Sequence, residues 1–373
     1  MAAWVLLLGA SGCRSESWGL WDAYSASFLD GGRIVDHQAG DRTTSEGQAY
    51  GMFFALVAND RGRFDQLLAW TTANLSGGDL AGHLPGWYWG RAADGQWHLL
   101  DGNSASDADL WISYTLLEAG RLWNEPQYTQ LGKQLAARIA REEVVSLPRF
   151  GAMLLPGNAG FRPIGADGWV LNPSYLPLPV LVRLAAVDPA GPWRGIAERL
   201  PQFLEQSGRN GYAMDWVSYN AADGFAPASA PGHPGESALG SYDAIRVYLW
   251  AGMTDAATPG SRRSVAALKA MEKYLEQRAT PPAQVDNNGA VLDTHGPVGF
   301  SGAVLPYLEA LGKQDLVARQ RGRVESEKDP ATLLYGHPPT YYDQNLVLFG
   351  GGWEERRFRF DRGGELRVKW KKG

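Results

Sequence analysis

The chain has 373 residues, 45% of them hydrophobic and 20% charged, a balance that excludes a disordered chain and fits a globular protein. Asp and Glu number 40 against 35 Lys and Arg, a net charge of −5. That balance argues against a nucleic-acid partner and against a polyanionic substrate, both of which want a cationic surface; a neutral polymer remains compatible.

Residues 4–10 form a short apolar run that ends in Ala10, Ser11 and Gly12 before Cys13. This reads as the end of a secretory leader, so residues 1–15 are assigned to a leader and residues 16–373 to a single domain. Cys13 is the only cysteine, which rules out an internal disulfide, and Ala10 stands where a lipidated cysteine usually has a Leu. No later stretch carries the roughly 20 consecutive apolar residues of a membrane span.

From Ser45 onward the dominant period is helical. Tyr50, Phe53, Phe54 and Val57 follow the i, i+3, i+4, i+7 pattern, as do Phe64, Leu67, Leu68 and Thr71. Further stripes run through Tyr128, Leu131, Leu135 and Ile139, then Trp193, Ile196, Leu200 and Phe203. Val265, Leu268 and Leu275 mark another, and Val304, Leu305 and Leu308 one more. In all, the pattern predicts about a dozen helices without a sequence repeat. Strand signal is sparse; the clearest is at the C-terminus, where residues 357–360 and 365–368 alternate around Arg362, Gly363 and Gly364 as a hairpin would.

Three long loops are expected, at about 76–104, 146–172 and 206–240. The first holds Trp87, Tyr88, Trp89 and Trp97 among glycines. Loops of that length in a compact domain are usually functional, and flat aromatic rings with a polar edge make good binding surfaces. Trp87, Trp89 and Trp216 are the candidate stacking platforms.

Serines and acids recur together where apolar helices begin: Thr44-Ser45-Glu46, Ser106-Asp107-Ala108-Asp109 and Ser241-Tyr242-Asp243. Helix capping alone explains any one of them, because Ser is a preferred cap and a first-turn acid gains about 0.3–1 kcal/mol from the helix dipole. The adjoining small residues, such as Gly47 and Ala105, would leave the backbone open to a ligand. Acids in such a setting suit glycosidic hydrolysis, in which one carboxyl protonates the leaving oxygen and another activates water or attacks the sugar. A donor at a helix N-terminus needs something to lift its pKa, and a second carboxylate such as Asp107 would do so.

Residues 43–51 (TTSEGQAYG) with 53–61 (FFALVANDR) resemble the acid-bearing segment of glycoside hydrolase family 8. Residues 105–123 (ASDADLWISYTLLEAGRLW) are similar to that family's signature, departing only where Ser113 replaces a usual Ala. Residues 172–177 (NPSYLP) and 241–246 (SYDAIR) resemble two further family segments. Residues 341–353 (YYDQNLVLFGGGW), with the terminal hairpin, resemble the branch encoded beside bacterial cellulose synthases.

The resemblance implies an all-α (α/α)6 barrel with a small C-terminal β-hairpin and a cleft across one end. It implies a periplasmic or secreted endo-1,4-β-glucanase that inverts the anomeric centre and accompanies cellulose synthesis. Glu46 would be the general acid and Asp243 the general base, in the branch that uses Asp at this position. Asp107 would contact the sugar at the scissile position and Tyr175 would lie near the attacking water. Arg246, one turn after Asp243, could pair with it or with the sugar, and Asp109 reads as structural.

Relatives acting on chitosan, xylan or mixed-linkage glucan share such a fold, and a non-catalytic glucan-binding accessory protein of the synthase is the contrasting reading. A lyase would need a uronate-neutralising basic cluster, which the loops lack. The histidines, among them His37, His83, His98 and His233, show no metal-ligand spacing, and no phosphate-binding glycine motif follows a strand. The expectation is therefore a β-1,4-glucan as partner, with the synthase complex as a second candidate partner, and no cofactor, metal, nucleic acid or membrane span.

Overall fold

A computed structural model describes residues 17–162, 168–232 and 237–371. The leader assigned to residues 1–15, with Cys13, lies outside the described residues, as does His233. In chain order the helices are α1 (Gly19–Phe28), α2 (Ser45–Val57), α3 (Arg61–Leu75), α4 (Ser106–Leu122), α5 (Pro126–Glu142), α6 (Leu178–Val187) and α7 (Trp193–Ser207). Then come α8 (Ala244–Met253), α9 (Ser261–Ala267), α10 (Lys269–Gln277), α11 (Val298–Ala310), α12 (Gln314–Ser326) and α13 (Tyr341–Glu354).

Helices α2, α4, α6, α8, α11 and α13 form an inner ring, each packed on the next. The ring closes where Phe349 of α13 meets Tyr50, Phe53 and Phe54 of α2, at centroid distances of 5.1, 5.4 and 4.7 Å. Outside it, α3, α5, α7, the α9–α10 pair and α12 each lie against the inner helix they follow, and α1 covers α13. This is the (α/α)6 barrel that the resemblance implies.

Composition sorts the two rings. In α4, 16 of 17 residues are buried, as are 12 of 13 in α2, so these helices have no solvated face to keep polar. Outer helix α5 buries only Tyr128, Gly132, Leu135, Ala136 and Ile139, close to the stripe its sequence shows.

The barrel axis is filled by aromatic rings. Trp111 lies 5.0 Å from Phe53, 5.2 Å from Trp250 and 5.4 Å from Phe349. The expected C-terminal hairpin, Phe358–Phe360 with Leu366–Val368, plugs one end of this core. Phe358 packs on Phe53, Tyr114 Oη donates to the Gly364 carbonyl at 2.9 Å, and Leu366 N donates to Glu118 Oε2 at 2.9 Å. Glu118, wholly buried, is neutralised by Arg121 and Arg183 at 2.5 and 2.6 Å. Because the hairpin meets the C-terminal halves of α2 and α4, the N-terminal ends of the inner helices gather at the opposite, open end.

Strands are more numerous than their sequence signal suggests. Six sheets of two or three short strands occur among the described residues, several inside the segments expected to be irregular. The loop at 76–104 contains the antiparallel pair Gly86–Arg91 and Trp97–Ser104, to which Thr43–Thr44 adds an edge. Register shifts at Gly86/Tyr88 and Tyr88/Trp89 break the two-residue alternation on which recognition of a strand from sequence depends.

Candidate active site

Three inner-helix N-termini deliver the three acids, each by a different local device. In α2 the Thr44 hydroxyl accepts from Gly47 N at 3.1 Å, capping the helix and leaving Glu46 free in the first turn. In α4 the cap position is Ala105, without a side-chain cap, and Ser106 Oγ donates instead to the Leu155 carbonyl at 2.6 Å. In α8 Asp243 occupies the cap position yet makes no capping bond, while Ser241 Oγ donates to the Ala283 carbonyl at 2.9 Å. Neither serine is a cap, so capping does not account for the motifs at α4 and α8.

Glu46, Asp107, Tyr175, Asp243, Arg246 and Trp87 share the wall of a cavity of about 420 Å³. Arg246, 3% exposed, is its electrostatic centre. Its Nη1 lies 3.1 Å from Glu46 Oε2, and its Nη2 lies 3.0 Å from Asp243 Oδ1 and 3.7 Å from Asp107 Oδ2. It also donates to Ser174 Oγ and Tyr342 Oη, both at 3.0 Å, which fixes the plane of the guanidinium. The second Asp243 oxygen accepts from Asn172 Nδ2 at 3.0 Å, and Asn172 is itself held by Ser174 N and Oγ at 3.0 and 2.7 Å.

One guanidinium thus touches both Glu46 and Asp243. The rigid fork of an arginine holds its two terminal nitrogens about 2.3 Å apart, so the nearer oxygens of the two acids are separated by no more than roughly 8.5 Å. That bound is compatible with the spacing of about 6.5–9.5 Å that leaves room for a water in inverting glycosidases.

Glu46 has a raised carboxyl pKa, chiefly because burial disfavours its charge, with the Asp243 charge adding to the effect. Arg246 and the Tyr341 hydroxyl, which donates to Glu46 Oε1 at 3.3 Å, pull in the other direction. Asp107, expected to supply the lift, is not its main source. Asp107 is itself pushed up to about 7, first by burial and then, against the pull of Arg246, by the Glu46 charge.

Asp109 points away from the cavity wall. No donor reaches its oxygens, and it faces Glu143, whose carboxyl is pushed up to about 8 mainly by burial while its Oε1 bonds Ser104 Oγ at 2.5 Å. Burial, and then the Glu143 charge, push the Asp109 carboxyl well above its usual range, which favours its neutral form.

The aromatic candidates separate. Trp87 is on the cavity wall, stacked on Tyr88 at 5.1 Å with its Nε1 on Asp101 Oδ2 at 2.8 Å. Trp89 is not on that wall. The register shifts direct it against Trp70 and Trp97, at 5.2 and 5.0 Å, with the Arg33 guanidinium 5.0 Å from its ring. Trp216 stands behind Tyr175 at 6.2 Å and parallel to Phe161 at 6.2 Å, also off the wall of this cavity.

Gly47 does not open the backbone to a ligand either: a Cβ there would lie 2.9 Å from Tyr341 Oη, so the glycine makes room for that hydroxyl. Sequence reasoning gave no individual role to Asn172, Tyr341, Tyr342 or Asp215. Asn172 and the two tyrosines lay inside segments that carried the resemblance, whereas nothing in the sequence marked Asp215.

A helical barrel whose open end holds two carboxylates on one arginine has the architecture of a glycosidase with an acid–base pair. The chain belongs to glycoside hydrolase family 8: the family described as "Glycosyl hydrolases family 8" matches residues 1–356. It is 45% identical over 377 residues to an "Endoglucanase" of Xanthomonas axonopodis pv. citri, covering 100% of this chain and 95% of that protein. To an "Endoglucanase" of Escherichia coli K12 it is 42% identical over 369 residues, covering 98% and 95%. Among solved structures, an endo-1,4-D-glucanase from Vibrio fischeri ES114 superposes with a TM-score of 0.87 at 39% identity, covering 95% of this chain and 99% of that one.

Proposed function

We propose that this protein is an endo-1,4-β-glucanase that hydrolyses cellulose-type chains with inversion, Glu46 serving as general acid and Asp243 as general base. The observation that carries the reading is the placement of both carboxylates, from helices far apart in sequence, on the single Arg246 guanidinium in one cavity wall.

Glu46 protonates the glycosidic oxygen as its bond to the anomeric carbon breaks; its raised pKa keeps it protonated nearer neutrality than an ordinary glutamate. Asp243, oriented by Asn172 and Arg246, takes a proton from a water that attacks the opposite face of the sugar. Asp107 holds the sugar at the scissile position, Tyr175 borders the attacking water and Trp87 stacks on a glucose ring. Arg246 acts by aligning the acids. A non-catalytic glucan-binding role would need no such pair of carboxylates.

A long glucan chain is met outside the cytoplasm, which supports a periplasmic or secreted site of action, and the resemblance of residues 341–353 to the branch encoded beside cellulose synthases supports a role beside cellulose synthesis. No helix among the described residues is long and apolar enough to cross a membrane. Purified protein is expected to release reducing ends from carboxymethyl cellulose and cellohexaose. Glu46→Gln should lose about 10²–10⁴-fold in kcat, the usual worth of a general acid. Failure of the native protein to cut any β-1,4-glucan would overturn the proposal.

A further inference from the structure

A residue at a helix N-cap normally turns its own side chain onto the first free amides of the helix, and Asp is among the best at doing so. Asp243 holds that position in α8 but has φ −76° and ψ −48°, helical values rather than the extended ones of a capping residue, and its side chain makes no capping bond. Its carboxylate is committed instead to Arg246 and Asn172 in the cavity.

The capping acceptor comes from elsewhere. Asp215 Oδ1 accepts from Ser241 N at 2.8 Å and from Ala244 N at 2.7 Å, the amides two residues before and one after Asp243. Asp215 is tied down in turn: its own N–H donates to the Leu239 carbonyl at 2.8 Å, and Ala213 N donates to Tyr248 Oη of α8 at 3.1 Å. Gly240 permits this close approach, since a Cβ there would fall 2.2 Å from the Ala213 carbonyl oxygen.

We propose that Asp215 is a positioning residue for hydrolysis: it caps α8 in place of Asp243 and grips the backbone on both sides of the base, so that the Asp243 carboxylate stays turned into the cavity, where the attacking water meets it. The proposal rests on the assignment of Asp243 as base. The Asp215 carboxyl is pushed up to about 7, by burial and then by the Asp243 charge, against the pull of the two amides and of Arg246. A neutral acceptor of the same shape should therefore replace it well.

The test is the kinetics of Asp215→Ala and Asp215→Asn on cellohexaose, beside Asp243→Ala with and without sodium azide. Misplacing a reacting group by about 1 Å costs on the order of 10²-fold. Asp215→Ala should lose about 10–100-fold in kcat with KM within about threefold, and Asp215→Asn, whose amide oxygen accepts the same two bonds, should recover to within about fivefold of the native rate. Should the alanine variant not fold, Asp215→Ser, whose short hydroxyl reaches at most one of the amides, should lie between the asparagine variant and that predicted loss.

Azide should restore turnover to Asp243→Ala, by attacking the anomeric carbon in place of water while Glu46 protonates the leaving oxygen, and should not restore Asp215→Ala. Native kcat in Asp215→Ala or Asp215→Ser, or an Asp215→Asn as impaired as the alanine variant, would overturn the positioning role. Azide without effect on Asp243→Ala would instead overturn the assignment of the base on which it rests.

Discussion

Replacing Asp107 by Asn should raise the protein's stability relative to the native chain as the solution turns from acid to mildly alkaline. Asp107 is 3% exposed, and burial outweighs the attraction of Arg246, so its pKa rises from 3.8 in the unfolded chain to about 7. A folded pKa above the unfolded one means that the fold favours the neutral acid. The contribution is fully present below about pH 4 and is lost as pH climbs through 7. A shift of about three units corresponds to about 4 kcal/mol, accrued at about 1.4 kcal/mol per pH unit.

Asn cannot ionise, so the stability of Asp107→Asn relative to the native protein should rise by up to about 4 kcal/mol between pH 4 and pH 8, whatever the constant offset from lost contacts. Urea denaturation of both proteins at the two pH values measures it, with hydrolysis of cellohexaose assayed in parallel and expected to fall. A stability difference constant to within about 1 kcal/mol across that range would show that Asp107 ionises as easily in the fold as outside it, and would refute the reasoning.

Gly47→Ala should displace the Tyr341 hydroxyl from Glu46. That bond lowers the Glu46 pKa, so its loss should move the alkaline limb of kcat/KM, which follows the acid's deprotonation, to higher pH; a limb that stays or falls counts against Glu46 as proton donor. Trp87→Ala should raise KM for cellohexaose several-fold with little change in Tm, whereas Trp89→Ala should lower Tm and spare KM, the reverse pattern showing that the glucan stacks on Trp89. Phe360→Ala empties the plug against Phe53, Trp111 and Tyr114 and should cost about 3–5 kcal/mol in urea denaturation, a loss under 1 kcal/mol meaning that the hairpin does not support the core.

Helices were legible because their apolar period is set by burial, and the stripe at Tyr50, Phe53, Phe54 and Val57 falls inside α2. The stripe alone does not show that α2 belongs to an inner ring. What shows it is that Met52, Ala55 and Leu56, between the stripe positions, are buried too. The acids at 46, 107 and 243 were legible from their motifs, because a short chain segment fixes which side chain leaves a helix start.

The pairing of Arg246 with Asp243, one turn apart, was legible too; the more distant partners were not. Tyr341 reaches Glu46 and Asp215 reaches the backbone around Asp243 only through tertiary packing, which leaves no mark at fixed spacing. Trp87 and Trp89 look equivalent in sequence, and the register shifts beside Tyr88 separate them. Sheets of two or three short strands leave too few alternations to count, which hid the strands inside the long loops.

The most direct test is the configuration of the first product. A water held by Asp243 opposite a proton donor at Glu46 must enter from the face remote from the leaving oxygen. Proton NMR of cellohexaose during the first minutes of hydrolysis, before mutarotation, should show the new reducing ends arriving as the α anomer. New ends arriving as the β anomer would mean retention through a glycosyl intermediate, and would contradict the roles given to both carboxylates.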